Sequence, residues 1–325
     1  MARDSLFCFG FFVLCYCCQS AFGVLQRFGL MALKIAGFAV VVLLSSPFFF
    51  TLPVFVVRSR RVTCLLLALS FSAIIGWWLT LIPSNHRNWL PDVARTATAT
   101  LHGDQIVINN VRNFTYRSET DYTETWEKRT YDLSQLQGFD MFISFWGPTL
   151  IAHTIASWEF ADGKHLAISI ETRKEKGEDY SAIRGFFRQY ELYYVVADER
   201  DVIKLRTNFR GERVYCYRVQ MPLHIARQLL VDYISEINRL AERPRWYNAF
   251  THNCTTAIRY HFKNLGLAQS LDWRVYANGY FDELLYQRGA LNKSIPFQEL
   301  KKNSDITERA RAAGASDDFS KLIRR

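Results

Sequence analysis

The chain has 325 residues, of which 49% are hydrophobic and 15% aromatic, with 40 basic and 31 acidic side chains. This aromatic content excludes an intrinsically disordered chain, and the lack of a dense Lys/Arg face after residue 82 disfavours a dedicated nucleic-acid-binding protein. The charge is uneven, because residues 1–82 contain six basic side chains and a single acid. The remaining residues carry 34 basic and 30 acidic groups, a mildly basic balance.

Two uncharged apolar runs, residues 36–57 and 62–82, predict a hairpin of transmembrane helices within residues 36–82. Each run is long enough to cross about 30 Å of hydrocarbon as a helix. The basic loop between them, at 58–61, is typical of the cytoplasmic side of a membrane. Everything after Pro83 is therefore expected to lie outside the cytoplasm.

An apolar leader, residues 1–35, precedes this hairpin. Its apolar stretch at 6–25 could form a third span or a cleaved signal peptide. Met31 could also be the true start, in which case the leader is an artefact of gene calling.

The region 83–270 predicts an antiparallel sheet followed by helices, which defines an α+β domain. Runs rich in β-branched and aromatic residues predict strands at 106–108, 111–116, 141–145, 150–160, 164–173, 191–197 and 213–219. The first two flank an Asn-Asn turn. The runs 150–160 and 164–173 flank Ala-Asp-Gly, which is typical of a β-hairpin.

Helices follow these strands. Apolar residues recur at helical spacing between Pro222 and Pro244. A second helix is expected to begin at Cys254 and to be closed by Gly266. The remaining segment, 271–325, mixes aromatic and charged residues and is expected to be a peripheral tail.

Cys254 is the candidate nucleophile, because it lies in a polar loop where a helix is predicted to begin. A helix N-terminus presents free N–H groups and the positive end of the helix dipole, which favour a thiolate and can stabilise an oxyanion. A buried, inert cysteine is the alternative, which the neighbouring Asn253 and Thr255 disfavour. Cys216, inside a predicted strand, is expected to be a packed thiol without a disulfide to Cys254.

A cysteine nucleophile needs a base, which is usually a histidine. If Phe160 faces Lys164 across the hairpin turn, His153 lies opposite Glu171 on the same face of the sheet. Cross-strand neighbours are about 5 Å apart. Glu171 could therefore orient His153 and stabilise its positive charge, as the third member of a triad.

Two alternatives accompany this assignment. Glu171 could instead form an ion pair with Arg173, which shares its face of the strand. In the same register His165 pairs with Glu159 near the hairpin tip, about 20 Å along the strand from His153 and too far to orient it. A slip of one residue would remove both pairings.

The region after residue 82 contains no H-E-x-x-H or C-x-x-C pattern, no glycine-rich phosphate loop and no G-x-S-x-G elbow. No metal or cofactor is therefore expected.

Several of these segments resemble the Lnb-type periplasmic domain family. The segments that carry the resemblance are 109–114, Trp146-Gly147 with His153, 167–173, 190–201 and 247–256. The family belongs to the circularly permuted papain-like group, with lecithin retinol acyltransferase and the NlpC-type peptidases. In that group a histidine on a strand precedes a cysteine at a helix N-terminus, and the order of His153 and Cys254 fits. The resemblance thus implies a permuted papain-like, NlpC-type catalytic domain.

The resemblance also implies a function, since Lnb-type members are lipoprotein N-acyltransferases with a Cys–His site. Cys254 would take a fatty acyl group from a phospholipid and pass it to the N-terminus of a lipoprotein, at the periplasmic face of the bacterial cytoplasmic membrane. The loop and oxyanion contributors are expected to be Asn253, Thr255, Trp146 and Gly147. The alternatives are an NlpC-type amidase that acts on cell-wall peptide and a catalytically inactive assembly module. A separation of Cys254 and His153 above about 10 Å would support the inactive module.

Overall fold

The structure is a computed structural model that describes residues 60–178, 188–248, 251, 253–267 and 270–325. It divides into two compact units, Met1–Ile82 and Pro83–Arg325. In the first unit it describes helix α1, Arg60–Thr80. Among the described residues, no helix is both long and apolar enough to span a membrane. The predicted transmembrane hairpin is therefore not found there, and its first run, 36–57, lies outside the described residues together with the leader.

The second unit contains both strands and helices. The strands are β1 Thr98–His102, β2 Gln105–Arg112, β3 Thr115–Tyr116, β4 Tyr122–Thr123, β5 Trp126–Asp132, β6 Leu136–Phe145, β7 His153–Phe160, β8 His165–Arg173, β9 Glu191–Ala197 and β10 Arg213–Arg218. The helices are α2 Glu199–Lys204, α3 Leu223–Glu242, α4 Cys254–Asn264, α5 Phe281–Gln287, α6 Phe297–Ser304, α7 Thr307–Ala313 and α8 Phe319–Leu322. A π-helical turn, Leu205–Phe209, follows α2.

Eight strands form one mixed sheet in the order β1-β2-β9-β8-β7-β6-β10, with β5 also paired to β2. The strands pair in antiparallel orientation except β2 and β9, which are parallel, with Arg112 paired to Ala197. In the β7–β8 hairpin, Ile155 faces Ser169 and Glu159 faces His165. The α+β class and the predicted hairpin register are therefore confirmed.

Helices cover both faces of the sheet. On one face, α3 and α4 bury Tyr233 and Ile258 against Trp158 of β7. On the other face, α7 and α8 bury Ala310 and Phe319 in a second cluster with strand residues. Because both faces are covered, a strand such as β9 is buried at every position and reads as a continuous apolar run.

The predicted peripheral tail at 271–325 is wrong. Phe319 and Ile323 are fully buried against the sheet. Near the C-terminus, the Arg324 guanidinium lies 2.8 Å from Asp140 Oδ2 and 2.5 Å from Glu199 Oε1. This segment escaped prediction because its apolar residues are too widely spaced to show a helical period over a long window.

The predicted Asn-Asn turn is also wrong, because β2 runs through it. The register of β2 against β5 shifts between Ile108 and Val111, and Asn110 adopts a positive φ of 59°. Asparagine tolerates this left-handed conformation better than most residues, which suits a bulge. The two asparagines therefore interrupt the ladder without ending the strand.

Candidate active site

Helix α4 begins at Cys254 because Asn253 caps it. The side-chain Oδ1 of Asn253 accepts hydrogen bonds from the amides of Thr255 and Thr256, at 3.0 and 2.8 Å. The Thr256 hydroxyl in turn accepts from the Asn253 amide, which completes a capping box. Two of the N–H groups expected to hold an oxyanion are thus committed to the cap, whereas the Cys254 amide is not part of it.

The Cys254 thiol is 6% exposed and surrounded by polar groups. Asn278 donates its Nδ2–H to Sγ at 3.4 Å. Burial would raise the pKa of the Cys254 thiol, but the charge and hydrogen bond of His153, with hydrogen bonds from Thr154, lower it to about 6. Cys254 is therefore a thiolate at neutral pH, paired with the imidazolium of His153.

The proton on His153 Nε2 can be assigned from its partners. Nε2 lies 2.7 Å from Ser169 Oγ and 3.1 Å from Glu171 Oε1. Because the Ser169 hydroxyl donates to Glu171 at 2.7 Å, its oxygen must accept from His153, so Nε2 carries a proton. With Nε2 engaged in this way, Nδ1 is the ring nitrogen that remains for Cys254.

Electrostatics keep His153 protonated. Burial lowers the pKa of His153, but the negative charges of Glu171 and Cys254 raise it to about 9, against the opposing charge of Arg206. Burial would raise the pKa of Glu171, yet the charges of His153 and Arg206 hold it well below its usual range. Glu171 is thus an ionised partner of His153.

Glu171 has a second cationic partner, which is Arg206 and not Arg173. Arg206 Nη2 lies 2.8 Å from Glu171 Oε1, and its Nη1 lies 3.0 Å from Glu212 Oε2. Arg173 instead donates to the backbone carbonyls of Val93 and Ala94. The predicted alternative of a Glu171–Arg173 ion pair is therefore wrong.

A cleft of about 390 Å³ opens beside Cys254 and His153. Side chains of both charges line it, among them Asp92, Glu119, Lys174, Arg206, Arg210 and Glu212. Trp146 borders the cleft and is half exposed. Gly147 is exposed and does not line the cleft. Of the expected pair Trp146-Gly147, only Trp146 therefore lies at the cleft.

The cysteine, the histidine and Asn278 all fall within residues 122–279, which match the family model of the Lnb N-terminal periplasmic domain. This segment is an Lnb-type periplasmic domain. Comparisons with curated proteins and with solved structures found no match.

Sequence reasoning missed four polar residues of the Lnb-type domain that contact its Cys–His pair or the groups behind it. They are Thr154, Ser169, Arg206 and Asn278. The hairpin register would have revealed Ser169, because it shares a strand face with Glu171. Thr154 follows His153 directly, and no sequence signal marks Arg206 or Asn278.

The other predicted side chains of the Lnb-type domain lie where the register placed them. His165 Nε2 lies 3.9 Å from Glu159 Oε1, at the hairpin tip. Cys216 and Cys254 are both free thiols, and burial and the charge of Asp140 raise the pKa of Cys216 well above its usual range. Cys216 is therefore a protonated, packed thiol.

Proposed function

We propose that this chain is a membrane-associated thiol acyltransferase that moves a fatty acyl group from a phospholipid to the N-terminal amine of a lipoprotein. The observation that carries the proposal is that Cys254 and His153 line the same cleft and shift each other's pKa, with Glu171 Oε1 3.1 Å from His153 Nε2. This arrangement holds a nucleophile, an acid–base group and an orienting carboxylate in one site. The lipid donor and lipoprotein acceptor are supported by the resemblance to Lnb-type acyltransferases.

In the first half-reaction the Cys254 thiolate attacks the ester carbonyl carbon of the phospholipid. The tetrahedral intermediate collapses as the C–O bond breaks, and His153 gives its Nδ1 proton to the departing lysolipid oxygen. A thioester on Cys254 remains. The Cys254 amide and Asn278 Nδ2 are the donors we assign to the oxyanion, since the cap engages the next two amides.

In the second half-reaction the lipoprotein amine attacks the thioester carbonyl. His153, now neutral, takes a proton from the amine, and the C–S bond breaks to release Cys254 as a thiolate. The amide product leaves and the ion pair of Cys254 and His153 is restored. Glu171 stays ionised throughout and orients the ring through Nε2–H.

The proposal also includes a location at the cytoplasmic membrane. A periplasmic catalytic domain attached to the cytoplasmic membrane would hold the enzyme beside two lipid-anchored substrates. The uncharged apolar run at 36–57, which lies outside the described residues, supports this attachment.

The charged lining of the cleft favours a second candidate, an NlpC-type amidase. Asp92, Lys174 and Arg210 could bind the charged groups of a cell-wall peptide more readily than an acyl chain. The same Cys254–His153 pair would then cleave an amide, and water would hydrolyse the resulting thioester to release the acid and free Cys254. An inactive module is disfavoured, because Cys254 and His153 line the same cleft and the charge of His153 lowers the pKa of the thiol.

The test is to incubate the purified full chain with phospholipid that carries an isotope-labelled acyl chain. We expect a labelled thioester on the Cys254 peptide by mass spectrometry, and its transfer to the amine of a synthetic diacylglyceryl-cysteine lipopeptide. Cys254→Ala removes the adduct, whereas the matched Cys216→Ala retains it. Absence of the thioester, together with cleavage of peptidoglycan fragments, would refute acyl transfer in favour of the amidase.

A further inference from the structure

Exposed apolar side chains of the second unit are concentrated around the catalytic cysteine. Of nine large apolar side chains that are exposed among its described residues, six lie in two short segments, 146–151 and 271–276. We call these six the apolar rim: Trp146, Leu150, Ile151, Leu271, Trp273 and Tyr276, which are 37% to 60% exposed. Monomeric soluble proteins seldom cluster exposed apolar groups in this way unless the surface binds something.

The two segments of the apolar rim are joined to each other and to Cys254. The Gly279 amide donates to the Leu150 carbonyl at 3.1 Å, and any Cβ at Gly279 would collide with the Thr149 carbonyl. The neighbouring Asn278 accepts from the Ala152 amide at 2.8 Å and donates to Cys254 Sγ at 3.4 Å. The rim is therefore anchored to the same residues that position the nucleophile.

The apolar rim carries no uncompensated charge. Residues 146–151 contain no ionisable side chain. In the other segment, Asp272 and Arg274 neutralise each other through two hydrogen bonds of 2.9 and 2.8 Å. A surface without net charge can leave water at little electrostatic cost.

The chemistry of the apolar rim fits the interface of a lipid bilayer. Tryptophan and tyrosine combine an apolar ring with a polar atom and concentrate at the headgroup level, while leucine and isoleucine reach the acyl chains. Trp146 belongs both to the rim and to the wall of the cleft, so the rim leads directly to the nucleophile. A protein that takes its acyl group from a bilayer needs such a continuous path.

We propose that the apolar rim is a membrane-docking surface that enters the headgroup region of a phospholipid bilayer and places the mouth of the Cys254 cleft at the acyl ester bonds. This inference rests on the proposed acyl transfer. It names the residues that would bind the bilayer from which the acyl donor, a phospholipid, is taken. Charged side chains lining the cleft then face the phospholipid headgroups, and the rim faces the acyl chains.

The test is photo-crosslinking of the full chain reconstituted in vesicles of phosphatidylethanolamine and phosphatidylglycerol. A benzophenone amino acid replaces Leu150 or Leu271 in the rim. The matched controls are Leu101 and Leu223, which are 45% and 49% exposed and lie outside the rim. We expect phospholipid adducts, measured by peptide mass, at positions 150 and 271 in clear excess over the two controls. Equal yields at all four positions, or adducts to protein alone, would overturn the docking surface.

Membrane docking can be tested separately from acyl transfer by repeating the crosslinking on a Cys254→Ala background, which cannot form the thioester. Lipid adducts at the rim without any thioester on the wild-type protein would retain docking and refute acyl transfer. A thioester without excess adducts at the rim would refute docking and retain acyl transfer. A second arm compares Leu271→Glu with Leu101→Glu: the rim variant should slow thioester formation from vesicles about tenfold or more, while the control should stay near the wild-type rate. Similar rates for the two variants would contradict the proposal.

Discussion

Replacing Glu171 with glutamine removes one negative charge behind His153 and keeps the size of the side chain. Burial lowers the pKa of His153 and the charge of Glu171 raises it, so the substitution should lower that pKa from about 9. A hydrogen bond to a charged group is worth about 1.5–3 kcal/mol, and one pKa unit corresponds to about 1.36 kcal/mol. Because the Glu171 side chain is 27% exposed, we expect the lower end of that range, a fall of about one unit.

The assay is the rate at which iodoacetamide alkylates Cys254, followed by peptide mass spectrometry across pH. In the wild-type protein the reactive ion pair exists above the pKa of Cys254, about 6, and below that of His153, about 9. The Glu171→Gln variant should narrow this window. Its alkaline limit moves down because His153 loses its proton earlier. Its acid limit should stay near 6, because His153 is still protonated at that pH and continues to stabilise the thiolate.

Glu159→Gln is the matched control for this measurement. Glu159 is also a glutamate beside a histidine on the same hairpin, and its side chain is 26% exposed. It lies next to His165, so its replacement should leave both limits of the Cys254 profile in place. An unchanged alkaline limit in Glu171→Gln, or an equal shift in Glu159→Gln, would refute the assignment of Glu171 as the partner of His153.

Four further outcomes are expected. Cys254→Ser and His153→Ala should each abolish turnover while circular dichroism shows an intact fold. The double variant should lose little more activity, because members of a catalytic unit are not additive. A thioester on Cys254→Ala protein would contradict the assignment of the nucleophile. Asn278→Ala removes a donor to Cys254 Sγ and should slow thioester formation by about 10²-fold, measured by single-turnover kinetics, whereas a wild-type rate would exclude an oxyanion role. His165→Ala, at the hairpin tip, should retain turnover near the wild-type rate, and a variant as inactive as His153→Ala would mean that the base is misassigned. Arg324→Ala should lower the free energy of unfolding by about 3 kcal/mol in urea titrations, because it leaves Glu199 and Asp140 buried without this partner, and a loss near zero would refute that role.

The positions of Cys254, His153 and Glu171 could be predicted because each depends on local rules. A short turn sets the hairpin register, and the two-residue period of a strand then decides which side chains share a face with His153. The start of α4 could be predicted because Asn253 is a strong capping residue. Such signals act over a few residues and are visible in a single sequence.

The remaining parts of the site could not be predicted because they depend on packing between distant segments. Asn278 reaches Cys254 from 24 residues further along the chain, within a segment whose sequence looks peripheral. Arg206 lies on a π-helical turn, which no sequence pattern foretells and which often occurs at functional sites. The apolar rim could not be predicted either, because the sequence does not show which apolar side chains the rest of the fold leaves uncovered.

The groups behind His153 explain how Glu171 can serve a histidine whose charge would change during the proposed acyl transfer. When His153 gives up its proton, Glu171 loses one cationic partner inside a partly buried site, and an isolated carboxylate there would be costly. Arg206 remains 2.8 Å from Glu171 in that state, and Ser169 still donates to it. Arg206 is itself held by Glu212, which accepts a hydrogen bond from Ser144. Because this chain of alternating charges keeps Glu171 ionised whether or not His153 is protonated, the proton of His153 can leave and return without Glu171 itself taking up a proton.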